Sequence, residues 1–455
     1  MRKLFALLSL ILTCQFSYSQ TEDSLFIRKI YDEALSRGKS YEDLRSLCKD
    51  VGARLSGSAE AEMAVYWGEQ KLKSYQFDAV YLQDIEVPHW ERGTKESGWI
   101  KHTDGRLKKV SITALGGSIG TNGVVEGELV YYTSINELKA DKKSDLSGKI
   151  VFINQAMDEK EIVTFHAYGG CYSMRNEGAI EASKKGAVAV IIRSIGSSID
   201  YHPHTGGMTY DSEVKKIPAA AISTAESEYI HEKIKTEKLS FILELNCMSY
   251  PPKPSHNVIG ELKGSLYPNK IITVGGHLDS WDLGEGAHDD GAGIVHSIEA
   301  LRILKTLGYK PKHTIRVVLF MNEENGNMGG KTYASWVKEK GEEHILAVES
   351  DRGGFAPRGF TLDGPDNFLS ILQSFATILK PYELHKFEKG YGGVDIGPLK
   401  NYYPEIPLIG FVPDSQRYFD FHHAETDVFE SVNKRELELG CASIASLLYL
   451  MDKSL

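Results

Sequence analysis

Residues 277–289 read His277-Leu278-Asp279-Ser280-Trp281-Asp282-Leu283-Gly284-Glu285-Gly286-Ala287-His288-Asp289, and they follow the apolar run Ile271-Ile272-Thr273-Val274 and the pair Gly275-Gly276. An apolar run of this length predicts a buried parallel strand. In open α/β sheets, ligands bind just beyond the carboxyl ends of such strands. The sequence therefore places His277 at the edge of a sheet where a functional site is expected.

Possible metal ligands also follow other predicted strands. Asn322-Glu323-Glu324 comes after the predicted strand Ile315 to Met321, Glu349-Ser350-Asp351 comes after Ile345 to Val348, and His422-His423 lies in a later loop. A lone carboxylate is usually a solvated surface group, but carboxylates placed straight after apolar strands share one rim of the sheet. Zinc takes histidine nitrogen and carboxylate oxygen, and two zinc ions about 3.5–4 Å apart can present a water to a carbonyl. Such a pair needs one bridging carboxylate, for which we select Asp289.

The length of 455 residues exceeds what one hydrophobic core usually holds, so two domains are expected. After residue 250, predicted strands and helices alternate as in α/β folds, and the helix Ile294 to Leu307 has Gly308 as its cap. Between residues 122 and 250, short strands and helices recur, which predicts a small β-rich domain inserted into the main one. Residues 21–121 and 251–455 would then form the main domain. Other predicted elements are an exposed strand, Val80 to Val87, and a helix in the insert, Glu177 to Lys185.

Residues 1–20 have the pattern of a secretory signal peptide. Arg2-Lys3 precedes the apolar run Leu4 to Leu12, and Ser17-Tyr18-Ser19 offers a small-residue cleavage site. The alternative, a membrane anchor, is disfavoured because a span needs ~20 apolar residues, and no other stretch could cross a bilayer. Lipidation at Cys14 is a further alternative with a poor signal before it. We therefore expect a secreted or periplasmic protein without an integral membrane segment.

Charge and cysteine content restrict the partners and the ligands. The formal charge is −10, and loss of Arg2 and Lys3 with the signal peptide would make it −12, which disfavours a nucleic-acid partner. The four remaining cysteines (Cys48, Cys171, Cys247 and Cys441) form neither a CxxC pair nor a dense disulfide framework, although one disulfide is possible. Any metal ligands are therefore expected to be histidine and carboxylate.

Two further motifs allow a functional or a structural interpretation. Gly116-Gly117-Ser118-Ile119-Gly120 matches the G-x-S-x-G of serine hydrolases, but no helical pattern follows it, so a glycine turn is the preferred interpretation. His202-Pro203-His204-Thr205-Gly206 lies in a polar loop of the insert. This loop could contact substrate, could bind metal through its two histidines, or could simply be solvated.

The motifs together resemble those of the co-catalytic zinc exopeptidases of peptidase family M28, which include bacterial leucyl aminopeptidase and glutamate carboxypeptidase. The matching motifs are His277-x-Asp279-Ser280, Gly286-Ala287-x-Asp289-Asp290, Glu323-Glu324, Asp351 and His423-x-x-x-Asp427. The match is closer still to the carboxypeptidase Q branch and extends to Arg54-Leu55-Ser56-Gly57-Ser58 and Pro88-His89-Trp90-Glu91-Arg92-Gly93. The resemblance implies a three-layer α/β/α fold with a mixed, mostly parallel sheet, and a protease-associated domain as the β-rich insert.

The resemblance also implies a role for each site residue. One zinc would be held by His277, Asp289 and Asp351, and the other by Asp289, Glu324 and His423. Asp279 would orient His277, and Glu323 would be the general base that takes a proton from the metal-bridging water. His423 is preferred over His422 because Asp427 follows it by four positions.

The sequence thus predicts a secreted exopeptidase with two Zn²⁺ per chain that cleaves dipeptides or short peptides with a free N-terminus. The resemblance to the carboxypeptidase Q branch favours dipeptides and a homodimer. Three alternatives remain: a serine esterase using Ser118, a non-catalytic binding protein on the same fold, and a single-zinc glutaminyl cyclase. Asn322 and Gly392-Gly393-Val394-Asp395 depart mildly from the family pattern. The resemblance therefore does not determine which residues bind the terminus of the substrate.

Overall fold

Two eight-stranded sheets organise the chain. The structure, a computed structural model, describes residues 22–455, so the predicted signal peptide lies outside the described residues. The strands, numbered in chain order, are β1 (Ala79–Glu91), β2 (Glu96–Lys101), β3 (Leu107–Val110), β4 (Ile112–Ala114), β5 (Val125–Tyr132), β6 (Ile150–Ile153), β7 (Ala189–Arg193), β8 (Ala219–Ile222), β9 (Ser240–Leu245), β10 (Met248–Leu262), β11 (Tyr267–His277), β12 (His313–Phe320), β13 (Glu343–Glu349), β14 (Pro357–Asp363), β15 (Lys386–Lys389) and β16 (Leu408–Pro413).

The helices pack on the faces of these sheets. They are α1 (22–37), α2 (Ser40–Ser46), α3 (Ala59–Ser74), α4 (Ile135–Ala140), α5 (Thr164–Ser183), α6 (Thr224–Lys233), α7 (Ala292–Thr306), α8 (Met328–Lys340), α9 (Asp366–Ser374), α10 (Ala376–Leu379) and α11 (Lys434–Ser454). The helix predicted from Ile294 to Leu307 is α7, and Gly308 beyond its end has φ +73°, as expected for its cap.

The first sheet has the order β1-β10-β12-β11-β13-β16-β14-β15. β11 pairs in parallel with both β12 and β13, and β13 pairs in parallel with β16, so these four strands form a parallel centre. Residues 271–277 of β11 are all buried, and His277 is the last residue of that strand. The prediction of a buried parallel strand with His277 at its carboxyl end is therefore confirmed.

Helices cover both faces of this sheet. Alternate residues of β12 point to opposite sides: Val317 and Leu319 join the large core with α3, α7 and α11, whereas Val318 and Phe320 pack with α8. Because both faces are buried, all eight residues of β12 are buried and largely apolar. The three-layer α/β/α fold with a mixed, mostly parallel sheet is confirmed.

The second sheet has the order β3-β2-β9-β5-β6-β7-β8-β4, and α4 and α5 pack against it. Residues 96–114 supply three of its strands, β2, β3 and β4, so the sheet begins before residue 122. The division into a main domain and an insert at residues 122 and 250 remains a prediction.

Several elements differ in extent from the sequence-based expectation. The strand predicted from Val80 to Val87 runs on to Glu91, and the helix predicted from Glu177 to Lys185 is the end of α5, which begins at Thr164. β10 was not predicted, because Pro251, Pro252 and Pro254 interrupt its sequence. These prolines are tolerated because β12 pairs only with residues 258–262 of β10, and the proline-containing part has β1 alone as its partner.

The four cysteines, at 48, 171, 247 and 441, are buried and free. Within residues 22–455, no helix is both long and apolar enough to cross a membrane.

Candidate metal centre and active site

Five side chains predicted as metal ligands meet at the carboxyl ends of the central strands. His277 ends β11, Glu324 follows β12, and Asp351 follows β13, while Asp289 precedes α7 and His423 follows β16. These five residues are called the His–carboxylate cluster below. The topology explains the convergence, because parallel strands bring their carboxyl ends to one edge of the sheet.

The Asp289 carboxylate lies between two histidines. Its Oδ1 is 3.2 Å from His277 Nε2, and its Oδ2 is 3.2 Å from His423 Nε2. On one side, His277 Nε2 is also 3.6 Å from Asp351 Oδ1, and on the other, His423 Nε2 is 3.2 Å from Glu324 Oε2. The cluster therefore consists of two groups of ligand atoms that share Asp289.

This geometry fits metal ions. Ligand atoms around one tetrahedral zinc, with bonds of about 2.0–2.1 Å, are roughly 3.3–3.5 Å apart. Asp289 Oδ2 is buried and accepts no hydrogen bond of good geometry from residues 22–455, so a cation would satisfy an otherwise unpaired oxygen. The groups whose possible ligand atoms all lie within 4.8 Å of one another are Asp289 with His422 and His423, His277 with Asp290 and Asp351, and His277 with Asp289 and Glu324.

The neighbouring histidines 422 and 423 differ in how closely their ring nitrogens approach the carboxylates of the cluster. His422 Nε2 is 3.7 Å from Asp289 Oδ2, and the ring stacks on His423 with 3.5 Å between the centroids. Tyr168 and Phe419 pack around the His422 ring. His423 contacts both Asp289 and Glu324, so it is the better placed of the two for a metal.

Asp279 makes a different set of contacts from the one expected. His277 Nδ1 is 3.1 Å from the Asp279 main-chain carbonyl oxygen and 3.8 Å from its carboxylate. The carboxylate instead accepts the backbone N–H groups of Asn322, Glu323 and Glu324 at 2.7, 3.0 and 3.3 Å. Asp279 thus fixes both His277 and the turn that presents the two glutamates.

Two buried groups that sequence reasoning did not select hold the loop between His277 and Asp289. The fully buried Arg54 donates hydrogen bonds to the carbonyl oxygens of residues 278, 285 and 286 at 2.6, 2.5 and 2.9 Å. The Asp427 carboxylate accepts the backbone N–H groups of His288 and Asp289 at 2.7 and 3.1 Å. Both residues lie in family-matching motifs, which was the only sequence signal available for them.

Burial and charge shift the acidities in the cluster. Burial, together with the Asp289 carboxylate, raises the pKa of Glu324 to about 7. Burial lowers the pKa of His423, but the carboxylates of Glu324 and Asp289 outweigh it and raise that pKa to about 9. For Asp289, burial is outweighed by the imidazoles of His277 and His423 beside its carboxylate, so its pKa lies well below the ordinary value. The His–carboxylate cluster thus has more carboxylates than histidines in a poorly solvated environment, which favours the binding of cations.

Glu323 faces a cavity of about 1280 Å³ that also reaches Asp289, Glu324, Asp351 and His423. Burial raises the pKa of Glu323 well above the ordinary value, and the Asp351 carboxylate adds to the rise. A carboxyl group of raised pKa at the wall of a cavity is suited to accept and return a proton.

Helix α5 of the second sheet forms the opposite wall of this cavity. Phe165, Tyr168 and Arg175 line it there. Arg175 is buried, its Nη2 donates to Tyr168 Oη at 2.6 Å, and its Nε has no hydrogen-bond partner within residues 22–455. No carboxylate lies within 4.0 Å of its guanidinium in that part of the chain, which leaves it free to pair with an anion.

The loop His202 to Gly206 lies behind the cluster and not in the cavity. His204 is buried, and its Nδ1 is 2.6 Å from the carbonyl oxygen of His422. His202 is partly exposed, and its Nδ1 is 2.6 Å from Glu425 Oε1. The expectation that this loop contacts substrate is therefore not supported by the positions of its histidines.

Ser118 is not arranged as a nucleophile. It is buried, its Oγ accepts the Ala219 N–H at 2.9 Å and donates to the Ile119 carbonyl oxygen at 3.0 Å. No histidine among residues 22–455 is hydrogen-bonded to it, and Gly117 has φ +88°, as the glycine-turn interpretation expects.

Comparisons with known proteins show which proteins this chain is similar to. The profile of peptidase family M28 matches residues 257–446, and that of the PA domain matches residues 125–230. Carboxypeptidase Q of Bos taurus is 35% identical over 439 residues, which cover 95% of this chain and 89% of the relative. The Homo sapiens carboxypeptidase Q is 35% identical over 427 residues, covering 93% and 86%.

Solved structures extend the likeness to the fold. A peptidase M28 precursor from Shewanella amazonensis superposes with a TM-score of 0.90 at 34% identity, covering 95% of this chain and 97% of that chain. An aminopeptidase from Aneurinibacillus sp. strain AM-1 shares the fold at 22% identity, with a TM-score of 0.62. Because the likeness covers nearly the whole of both chains, this chain is a carboxypeptidase Q-like metallo-exopeptidase that belongs to peptidase family M28.

Proposed function

We propose that the protein is a zinc-dependent exopeptidase that binds two zinc ions per chain and cleaves dipeptides and other short peptides with a free N-terminus. The observation that carries the proposal is the Asp289 carboxylate, whose two oxygens each lie 3.2 Å from a different histidine. A carboxylate shared in this way is what a two-ion centre requires. A zinc aminopeptidase from Bacillus subtilis shares the fold, with a TM-score of 0.62 at 20% identity.

In this proposal His277, Asp289 and Asp351 hold one ion, and Asp289, Glu324 and His423 hold the other. Bound zinc would polarise the scissile carbonyl and raise the acidity of water. Glu323 takes a proton from the attacking water and returns it to the departing amine. Asp279 keeps Glu323 in place, since its carboxylate accepts the Glu323 N–H at 3.0 Å.

The wall formed by α5 supports a preference for short substrates. It carries Arg175, a buried cation whose Nη1 is 3.4 Å from His423 Nδ1 and which has no carboxylate partner within residues 22–455. A short peptide that extends from the His–carboxylate cluster would place its terminal carboxylate near this side of the cavity. We therefore assign the C-terminal carboxylate to Arg175, and not to His204.

The test compares free Ala-Ala with Ala-Ala amidated at its C-terminus. The wild-type protein should cleave the free peptide at least about tenfold better in kcat/KM, the factor that corresponds to about 1.4 kcal/mol. Arg175→Gln should bring this ratio close to one, whereas Arg106→Gln, at an exposed arginine near the second sheet, should leave it intact. Equal rates on both substrates in the wild-type protein would contradict the proposal.

Metal content separates this proposal from its rivals. Two zinc ions per purified chain, and loss of hydrolysis with a chelator, are expected. A single zinc would favour the cyclase alternative, and activity that resists a chelator but yields to a serine-directed inhibitor would favour the esterase. Secretion or periplasmic location and a homodimer remain proposals that rest on the N-terminal sequence and on the resemblance.

A further inference from the structure

A second arginine, which has no carboxylate partner within residues 22–455, lines the cavity beside the Asp351 end of the His–carboxylate cluster. Arg352 directly follows Asp351 and is partly buried. Its guanidinium carbon lies 5.5 Å from the centroid of the Phe165 ring, and its Nη2 donates to the Tyr391 carbonyl oxygen at 3.2 Å. An arginine side chain has five N–H donors. Within residues 22–455, the Arg352 side chain donates the one hydrogen bond to Tyr391, so its other donors are available to a ligand.

The neighbouring cations in this part of the cavity are mostly neutralised. Arg358 Nη2 is 3.1 Å from Asp414 Oδ2, and Lys389 Nζ is 2.9 Å from Asp366 Oδ1. Arg352 has no carboxylate within 4.0 Å among residues 22–455. Lys386 and Glu388, farther along the same cavity wall, have no ion-pair partner in that part of the chain either, and their opposite charges offset each other.

The direction of the substrate decides which of its anionic groups could reach Arg352. If the C-terminal carboxylate lies with Arg175 beside His423, the peptide extends past the cluster toward Asp351 with its free amine. A free amine is a cation and cannot pair with a guanidinium. An anion beside Arg352 must then come from a side chain of the peptide.

We propose that Arg352 binds the carboxylate side chain of an aspartyl or glutamyl residue in the substrate, so that the enzyme prefers short acidic peptides. The inference rests on the proposed exopeptidase function and adds the substrate class. Arginine suits this role because its planar guanidinium binds a carboxylate with two parallel hydrogen bonds, which strengthen where water is partly excluded.

The experiment measures kcat/KM on two matched pairs of dipeptides, Asp-Ala with Asn-Ala and Ala-Asp with Ala-Asn, and on Ala-Ala. Each pair differs by a charge at nearly constant shape. The wild-type protein should cleave the acidic member of one pair at least about tenfold better than the amide. Arg352→Gln should reduce that ratio to below about two, and Arg352→Lys should keep part of it.

The readout is the ratio of the kcat/KM values of two substrates on one protein sample. Partial loss of folded or metal-loaded enzyme lowers both values equally and does not change this ratio. Arg358→Gln is the matched control, because Arg358 lines the same cavity but already has Asp414, and it should keep the wild-type ratio. If Ala-Ala is cleaved without any acidic preference, or if the preference survives in Arg352→Gln, this inference is overturned while the proposed function stands.

Two further outcomes are decisive. If Arg352→Gln removes the preference for free over amidated Ala-Ala, then Arg352 binds the terminal carboxylate, and the assignment to a side chain is wrong. If none of the dipeptides is cleaved by the zinc-loaded wild-type protein, the proposed function itself fails.

Discussion

Glu323 and Glu324 are neighbours in the chain, but their surroundings differ. Glu324 Oε2 lies 3.2 Å from His423 Nε2, and its Oε1 accepts the Trp281 N–H at 3.2 Å, which ties it to the cluster. Glu323 belongs to none of the three groups of close ligand atoms, and it faces the cavity. Adjacent carboxylates can therefore serve as ligand and as base.

Replacement of the two glutamates should separate these roles. Glu323→Ala should keep both metals and lose about 10²–10⁴ in kcat, the usual contribution of a general base. Glu324→Ala should retain fewer than two zinc ions per chain. Metal analysis of the purified variants decides the assignment, and equal metal loss in both would contradict it.

The two histidines at 422 and 423 allow a similar comparison. His423→Ala should lose metal and activity, because it removes the nitrogen that reaches both Asp289 and Glu324. His422→Ala should keep more metal, since its nitrogen is farther from the cluster at 3.7 Å and its ring mainly packs among aromatic side chains. The ratio of zinc to protein is the measurement, and greater loss in His422→Ala would reverse the choice.

At the level of elements, the loop between β11 and α7 depends on Arg54. Arg54→Met should lower the free energy of unfolding by about 3 kcal/mol, because three carbonyl oxygens, two of them in buried contacts, lose charged hydrogen bonds. For a chain of this size, that corresponds to a fall in Tm of about 3 °C. The control is Arg28→Met on an exposed helix face, where Asp32 is the one ion-pair partner of Arg28 among residues 22–455 and the expected change is below about 0.5 kcal/mol. Equal melting curves for the Arg54 variant and the wild-type protein would refute this role.

The sequence predicted the strand ends well, because apolar runs and the polar groups after them are local signals. It could not predict which backbone groups Arg54 and Asp427 hold, since their partners are separated by long stretches of chain. The first half of α5 was not predicted, because it contains the glycine pair at 169–170. Glycine disfavours helix, and only tertiary packing overrides that preference. The resemblance predicts that Asp279 orients His277, but it could not predict that the Asp279 carboxylate accepts backbone N–H groups 43 to 45 residues away.

At the level of the whole molecule, the two sheets meet around residues 281–282. Arg92 binds both carboxylate oxygens of Asp282 at 2.8 and 2.6 Å, and it also donates to Thr113 Oγ1 at 2.6 Å. A side chain on Gly116 would collide with the ring of Trp281, with a Cβ only 1.7 Å from it, so glycine is required there. These contacts join the second sheet to the loop that follows β11, and the cavity is lined both by α5 and by the residues that follow β12 and β13.

The place of β16 in the first sheet has a consequence for how the protein is made. Residues 408–413 form the strand between β13 and β14, so the sheet stays split until these residues have left the ribosome. His423 emerges later still. A nascent chain that stops short of residue 423 therefore lacks part of the His–carboxylate cluster, and the complete cluster can take up metal only after His423 has joined it.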